Sequence, residues 1–402
     1  MIEDFVLTSE SVTNGHPDKL CDQISDAIVG AYLHQESAAR VVAECAVSTG
    51  IVFTAVNTSA GSSVDIPQVA REVIREVGYD LGEFNAKSCT VMTSLGDHSG
   101  AGVDGEPVNE ERLGDDEIDR VTCGEQATLF GFACTHTPSL MPLPIWLAHT
   151  IARRLAAARR EELVPGLTPD GKVQVAVEFR KRRPARIYSV TLIAPDHGDT
   201  ARKQDELRRT LIERVVDPVF EDLEVVPDEL SRIAVNPEGP VRGGPVAHAG
   251  LTGRKNGVDT YGEYSRHSGA ALSGKDPSRI DRVGAYAARH AAKNVVAAGL
   301  AEECEVLLSY SIGRSKPVSV QVETFGTGVI PDERIRRAVL DLFDFRPAAI
   351  VRRFGLRSLA GAHADGFYRR LAVYGHMGRE ELDPPWERAE LADTLRELRD
   401  CG

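Results

Sequence analysis

The chain has 402 residues and a net charge of −13, from 47 basic and 60 acidic side chains. Hydrophobic residues make up 42% and charged residues 27%, the balance of a globular protein long enough for two or three domains. The acidity excludes a general nucleic-acid or anionic-membrane binder, so any anion bound must meet a local basic cluster. The seven cysteines are scattered and none forms C-x-x-C, which fits reduced thiols in a cytoplasm better than a disulfide frame or a zinc site. Met1-Ile2-Glu3-Asp4 lacks the apolar stretch of a signal peptide, and no apolar run reaches the ~18 residues of a membrane span.

In chain order, helical and extended patterns alternate. Leu20, Ile24, Ala27, Ile28 and Ala31 recur at helical spacing and predict a helix over 18–35. Residues 40–56, rich in Val, Ile and Thr, read as a strand or hairpin, followed by a helix at 66–77 and a strand at 88–95. Residues 96–121 are rich in Gly and acidic side chains without periodicity, a loop of the length used by lids or disordered segments. Next come a helix at 147–160, strands at 173–180 and 187–194, and a helix at 205–216. The basic tip between those strands, Arg180-Lys181-Arg182-Arg183-Pro184, suits a solvated hairpin turn. Residues 236–282 are rich in Gly, Lys, Arg and Asp. A long helix at 277–298, strands at 305–312 and 318–324 and a helix at 332–342 complete the pattern. Strand–strand–helix thus recurs about three times, which suits an α+β fold of mainly antiparallel strands with helices on one face.

Three constellations carry chemistry. Gly15-His16-Pro17-Asp18-Lys19 precedes a helix, whose N-terminus attracts anions; His16 and Lys19 add donors, and Asp18 is a possible metal ligand. The same residues also describe an ordinary capped helix start. Gly250-Leu251-Thr252-Gly253-Arg254-Lys255 sets two cations between glycines, as a phosphate-binding loop or an exposed loop would. In the run from Ser273 to Arg282, Asp276 is a plausible N-cap and Pro277 the first helical residue. Lys275 and Arg279 then lie at an anion-attracting end, with Asp281 near enough to ligate a metal. Gly269 to Lys275 also satisfies G-x-x-x-x-G-K, but Asp276 replaces the Ser/Thr of a P-loop and no buried strand precedes it. Lys19, Arg254, Lys255, Lys275 and Arg279 with two carboxylates are the inventory for a Mg²⁺-bound polyphosphate.

Together these segments resemble the S-adenosylmethionine synthetase (methionine adenosyltransferase) family, and the likeness runs through nearly the whole chain. It is carried by Ser9-Glu10-Ser11-Val12, the His16 motif, Asp22-Gln23-Ile24-Ser25-Asp26-Ala27 and Leu140-Met141-Pro142. It continues through the Arg254 loop, Val258-Asp259-Thr260-Tyr261-Gly262, the Lys275 segment, Ala285-Tyr286-Ala287-Ala288-Arg289 and Tyr374-Gly375-His376. The resemblance implies three similar domains in pseudo-threefold arrangement, interleaved over 1–100, 122–240 and 241–402, with 101–121 as a lid. It implies a cytoplasmic homodimer or dimer of dimers with shared active sites. The partners would be ATP and a small-molecule acceptor, methionine or an analogue, rather than nucleic acid or membrane. In the implied reaction methionine sulfur attacks C5′ of ATP, and the tripolyphosphate released is hydrolysed to pyrophosphate and phosphate. Two Mg²⁺ ions and K⁺ assist. His16 would assist departure of the C5′ oxygen, Asp18 and Asp281 would hold Mg²⁺, and Glu44 would sit near K⁺. Lys172, in Asp170-Gly171-Lys172, would bind the polyphosphate with Arg254, Lys255 and Lys275, and Lys19, Asp170 and Arg279 would also contact ATP or its polyphosphate, Arg279 standing where the family has Lys.

The departures from the family pattern gather elsewhere. Asn57 replaces a Glu, His248 an Asp and His98 a Gln, and Gly-Ala-Gly-Asp-Gln-Gly becomes Thr122-Cys123-Gly124-Glu125-Gln126-Ala127. Gly-Arg-Phe-Val-Ile-Gly-Gly becomes Gly239-Pro240-Val241-Arg242-Gly243-Gly244, one residue shorter and without the aromatic that stacks on adenine. Losing the counter-charge of a buried ammonium costs about 3–5 kcal/mol, which Glu125 would offset in part. Asn57, His98, Glu125 and His248 therefore mark an altered acceptor pocket. It is either a repositioned methionine site or that of a divergent paralogue adenosylating another acceptor. A tripolyphosphatase or ATP-hydrolysing remnant is the alternative that needs only the residues that match the family, from His16 to Asp281.

Overall fold

The computed structural model describes residues 4–80, 82–97, 107–196, 204–361 and 366–400. The first segment contains β1 (Phe5–Val12), α1 (Pro17–Gln35), β2 (Val41–Ser48), β3 (Ile51–Thr58), α2 (Ile66–Val77) and β4 (Thr90–Asp97). The second contains α3 (Asp115–Ile118), β5 (Ala127–Cys134), α4 (Leu143–Arg160), β6 (Lys172–Arg180), β7 (Arg183–Ile193), α5 (Gln204–Leu211) and β8 (Arg232–Val235). The third holds β9 (Gly250–Leu251), α6 (Asn256–Asp259), α7 (Ile280–Ala297), β10 (Glu303–Tyr310) and β11 (Ser319–Glu323). It closes with α8 (Asp332–Leu342), α9 (Pro347–Phe354), α10 (Phe367–Leu371) and α11 (Ala392–Asp400).

The strands form three sheets, ordered β1-β6-β7-β8, β11-β10-β5 and β4-β3-β2-β9. This is the expected α+β architecture. Two pairs, β3 with β4 and β7 with β8, run parallel, while the other pairings are antiparallel. Every sheet borrows a strand from a distant part of the chain: β1 lies beside β6, β5 beside β10, and β9 beside β2. One core joins α1, β2, β3, α7 and β10, and a second gathers under β6 and β7 against α4. Helix α7 is buried along nearly its whole length, so the mainly apolar run Val283 to Ala292 serves as a central post rather than a surface helix.

Three expectations need correction. Helix α7 begins at Ile280, not Pro277, and Asp276 is not its cap. The Asp276 carboxylate instead accepts Val41 N–H and Ser278 N–H, each at 2.7 Å, tying its loop to β2. The predicted loop at 96–121 is packed in its second half. Glu110 is buried between Arg40 and Arg357, and Ile118 packs on Ala348 and Ala349. The basic tip is a two-residue turn at Lys181 and Arg182, both at positive φ, but it is not simply solvated. Arg182 reaches back to the buried Glu303 at 2.5 Å.

The β4-β3-β2-β9 sheet covers α1 with one face only. On the other face Ile51, Phe53, Met92 and Leu251 stand exposed in a row, where alternation would ordinarily place polar residues. Close approach at the edge of this sheet demands glycine. A Cβ on Gly250 would lie 2.2 Å from the Pro17 carbonyl carbon at the start of α1. Gly250→Ala is therefore expected to cost about 1–3 kcal/mol in urea denaturation and to displace the loop that follows.

Candidate active site

Helix α1 starts with His16 as N-cap, its Nδ1 accepting the Asp18 N–H at 3.2 Å. Asp18, Asp22 and Asp26 recur at four-residue spacing and so share one face of the helix. Each accepts one backbone N–H from a glycine-rich loop: Asp18 from Leu251 at 3.1 Å, Asp22 from Gly253 at 2.8 Å and Asp26 from Gly274 at 2.8 Å. A single stripe of carboxylates thus docks both cationic loops onto α1. Asp26 also holds the buried Arg282 through both oxygens.

The first half-site surrounds His16. Its ring lies 5.0 Å from that of His248, whose Nε2 is 2.9 Å from Asp170 Oδ2. Gly244 N–H donates to the same oxygen at 2.8 Å. Lys172 opens β6 opposite Val12, and Lys255 pairs with Glu10 at 2.6 Å. Arg254 is half exposed and 3.6 Å from Asp18. Burial, opposed by Asp170 and reinforced by His248, Lys172 and Lys255, pushes the His16 imidazole down to about 3. Burial works against ionisation of Asp170, but the His248 hydrogen bond and His16 hold its carboxyl below the usual range. Among the described residues, His16 Nε2 and Asp170 Oδ1 are buried without any hydrogen-bond partner. Buried polar atoms without a protein partner are groups through which a polar ligand can be held. A cavity of ≈ 810 Å³, lined by Tyr79, Phe84, Pro169, Val241, Gly243 and Val246 among others, adjoins this half-site. Tyr79 also donates to the Gly15 carbonyl at 2.6 Å.

The second half-site holds Lys275, whose Nζ is 2.6 Å from Asp281 Oδ2, and Arg279, which pairs with Glu125. Asn57 belongs here too: it lies opposite Val42 of β2, and Val42 bridges to Lys275. Its side chain is exposed and crowds Gly96 on β4. His98 lies outside the described residues. The four residues of the expected acceptor pocket are therefore not one cluster within a chain. His248 stands with His16, while Asn57 and Glu125 stand with Lys275.

The two half-sites occupy opposite ends of β2. Ala46 pairs with Leu251, beside Asp18, and Val42 bridges to Lys275. Four residues of strand, roughly 13 Å, separate them. Glu44 sits midway, exposed on the open face and without an ion pair among the described residues. Asp18 and Asp281 are thus apart within a chain. Asp18 Oδ1 accepts the Leu251 N–H and Asp281 Oδ2 accepts from Lys275 Nζ, so each keeps its other carboxylate oxygen for a metal. That donor set suits Mg²⁺, which takes one or two carboxylates plus substrate phosphates. The Glu44 carboxylate is likewise a hard oxygen donor fit for K⁺.

Lys19 departs from expectation. It is fully buried, 2.9 Å from Asp22 and paired with Asp259, so it cannot reach a phosphate. Burial would lower its basicity, but the two carboxylates outweigh burial and raise it. Lys19→Met strands both carboxylates and is expected to cost about 3–5 kcal/mol, read as a fall in the urea midpoint. Residue types alone missed Glu10, Asp22, Asp26 and Tyr79. The four-residue spacing of the α1 aspartates was the available signal for two of them.

Three sheets, each sharing a strand with a distant part of the chain, frame a His/Asp site flanked by lysines in an α+β protein. Models of the S-adenosylmethionine synthetase N-terminal, central and C-terminal domains match residues 4–100, 120–241 and 242–388. The S-adenosylmethionine synthase of Acaryochloris marina is 47% identical over 406 residues, covering 98% of this chain and 97% of the relative. That of Trichormus variabilis is 48% identical over 406 residues, covering 98% and 96%. The chain belongs to the S-adenosylmethionine synthetase family and is a methionine adenosyltransferase-like transferase. No helix of the described residues is long and apolar enough to cross a membrane.

Proposed function

We propose that this chain catalyses in-line attack of methionine sulfur on C5′ of ATP and hydrolyses the expelled tripolyphosphate to pyrophosphate and phosphate. The observation that carries this reading is the free edge of His16. Its Nδ1 accepts a backbone N–H, so the ring proton sits on Nε2, buried without a partner among the described residues and close to Asp170, Lys172 and Lys255. A neutral N–H donor in a dry site stabilises charge as it develops on the departing C5′ oxygen. Lys172, Arg254 and Lys255 would bind one part of the polyphosphate, and Lys275 and Arg279 the rest. Asp18 and Asp281 would hold Mg²⁺, which supplies neutralisation of triphosphate charge when bound, and Glu44 would hold K⁺. The cavity beside Asp170 is of nucleoside size, and Tyr79 and Phe84 give it aromatic walls in place of the missing stacking residue.

The reading requires two copies of the chain. A two-fold axis through the open face near Glu44 would lay the His16 end of one β2 over the Lys275 end of the other, completing both sites. The exposed row of Ile51, Phe53, Met92 and Leu251 supports a self-complementary interface on that face.

Incubation with ATP, Mg²⁺, K⁺ and methionine tests the reading, with S-adenosylmethionine and phosphate both measured. Stoichiometric formation of the two is expected. Phosphate without an adenosylated product would mean an ATP-hydrolysing protein. Turnover with an analogue but not with methionine would mean that Asn57 and its neighbours serve a different acceptor. The names of the relatives, at 47–48% identity over almost the whole chain, favour methionine.

A further inference from the structure

We propose that His16, Asp170 and His248 form a binding site for a borderline divalent cation of the zinc class, and that its occupancy excludes ATP from this half-site. One ligand atom from each of the three lies within 4.8 Å of the others. His248 Nε2 and Asp170 Oδ2 are already 2.9 Å apart, and His16 Nε2 and Asp170 Oδ1 are buried and unpartnered among the described residues. Zinc bonds to imidazole and carboxylate are ~2.0–2.2 Å long, so tetrahedral ligand atoms stand about 3.3 Å apart. Separations within the trio need to shorten by up to about 1.5 Å, within reach of side-chain torsions. Three protein ligands leave a fourth position for water.

The donor set selects the ion. Two imidazoles and one carboxylate suit Zn²⁺, Cu²⁺ or Ni²⁺, whereas Mg²⁺ and Ca²⁺ prefer oxygen alone. Lys172 and Lys255 lie near His16 and oppose any cation there, so binding depends on the bonds to the two imidazoles and the carboxylate. Glu10 offsets Lys255 in part, at 2.6 Å. The Gly244 N–H holds Asp170 Oδ2 in place, as outer-shell partners of metal ligands do. One term opposes binding. Coordination through His16 Nε2 moves the ring proton to Nδ1 and breaks the 3.2 Å hydrogen bond from Asp18 N–H. His248 completes the set, since the remaining pair is one histidine and one carboxylate. The site shares no ligand with the Asp18 and Asp281 positions. Competition with ATP follows because the metal and its water would fill the space beside His16 Nε2 and Asp170 Oδ1 that the proposed reaction gives to the C5′ oxygen. The binding half of the inference stands without that reading, and the exclusion half rests on it.

The test is calorimetric titration of the chelator-stripped full chain with ZnCl₂ in excess MgCl₂, with CoCl₂ as a spectroscopic substitute. One equivalent per chain is expected, with the visible d–d bands of tetrahedral Co²⁺ bound by nitrogen and oxygen. His248→Ala should weaken zinc binding about 100-fold or more, with the fold retained by circular dichroism, and ATP should raise the apparent zinc Kd. Equal zinc affinity in His248→Ala, or Co²⁺ bands of thiolate ligation, would overturn the site. Zinc and ATP binding together without mutual effect would overturn the exclusion alone, leaving the site intact.

Discussion

His16→Ala is expected to lower kcat about 10²–10⁴-fold while ATP binding, measured by calorimetry, changes far less. The reason is where the lost interaction acts. A neutral Nε2–H contributes little to a ground-state ester oxygen and much to one acquiring negative charge, so its removal raises the barrier more than it weakens the complex. His16→Asn keeps a side-chain N–H donor and should recover part of the loss, which a purely structural role for the N-cap would not predict. The pH dependence carries a second signature. With its imidazole pushed down to about 3 by burial, His16 in the free protein is neutral throughout the physiological range. The profile of kcat/KM should therefore show no limb from His16 near pH 6.5, although bound triphosphate, being anionic, will shift the group upward in kcat. Stability follows the same shift. The unfolded chain takes up the His16 proton near 6.5 and the folded chain only near 3. As pH falls between those values the unfolded state binds more protons and stability is lost, by roughly 5 kcal/mol from this group at full extent. A urea midpoint of His16→Asn that is less sensitive to acid than that of the wild type is the check.

Mixing two inactive variants should restore activity. Chains carrying His16→Ala and chains carrying Lys275→Ala are each expected to be inactive. After co-refolding, about half of two-fold dimers contain one of each, and every such dimer has one site free of both substitutions, giving about a quarter of wild-type activity. The arithmetic depends on the separation described above: the two residues lie at opposite ends of β2 and belong to one site only across the dimer axis. Activity that stays at the level of the single variants would place each site within one chain. Phe53→Glu offers an independent arm. A charge in the middle of the open face should shift the chain to monomer in ultracentrifugation and abolish activity, with the fold retained by circular dichroism.

Much was legible from residues alone because local rules decide it. The apolar spacing in 18–35 and 66–77 located α1 and α2, since a helix must bury a stripe. The ordered motifs from Ser9 to His376 carried the family, because a long run of matched residues is far more specific than any glycine loop. The residues His16, Asp18, Arg254 and Lys255 were picked out in advance as an anion site, beside the plainer readings of a capped helix start and an exposed loop.

What only the tertiary structure decided concerns partners. Lys19 looked like one phosphate ligand among several, but whether a lysine meets a phosphate or a carboxylate depends on what packs over it. Here Asp22 and Asp259 close over Lys19. His248, grouped with Asn57 and Glu125 as a departure from the family pattern, pairs instead with Asp170 at the other end of β2. Asp276 had the look of a helix cap and became a clamp on β2. Composition and spacing thus pointed to the α+β frame and to the basic, glycine-rich loops that it carries. The placement of those side chains in two half-sites, at opposite ends of one strand, was set by long-range pairing, because strand partners are chosen by the whole chain and not by neighbours in sequence.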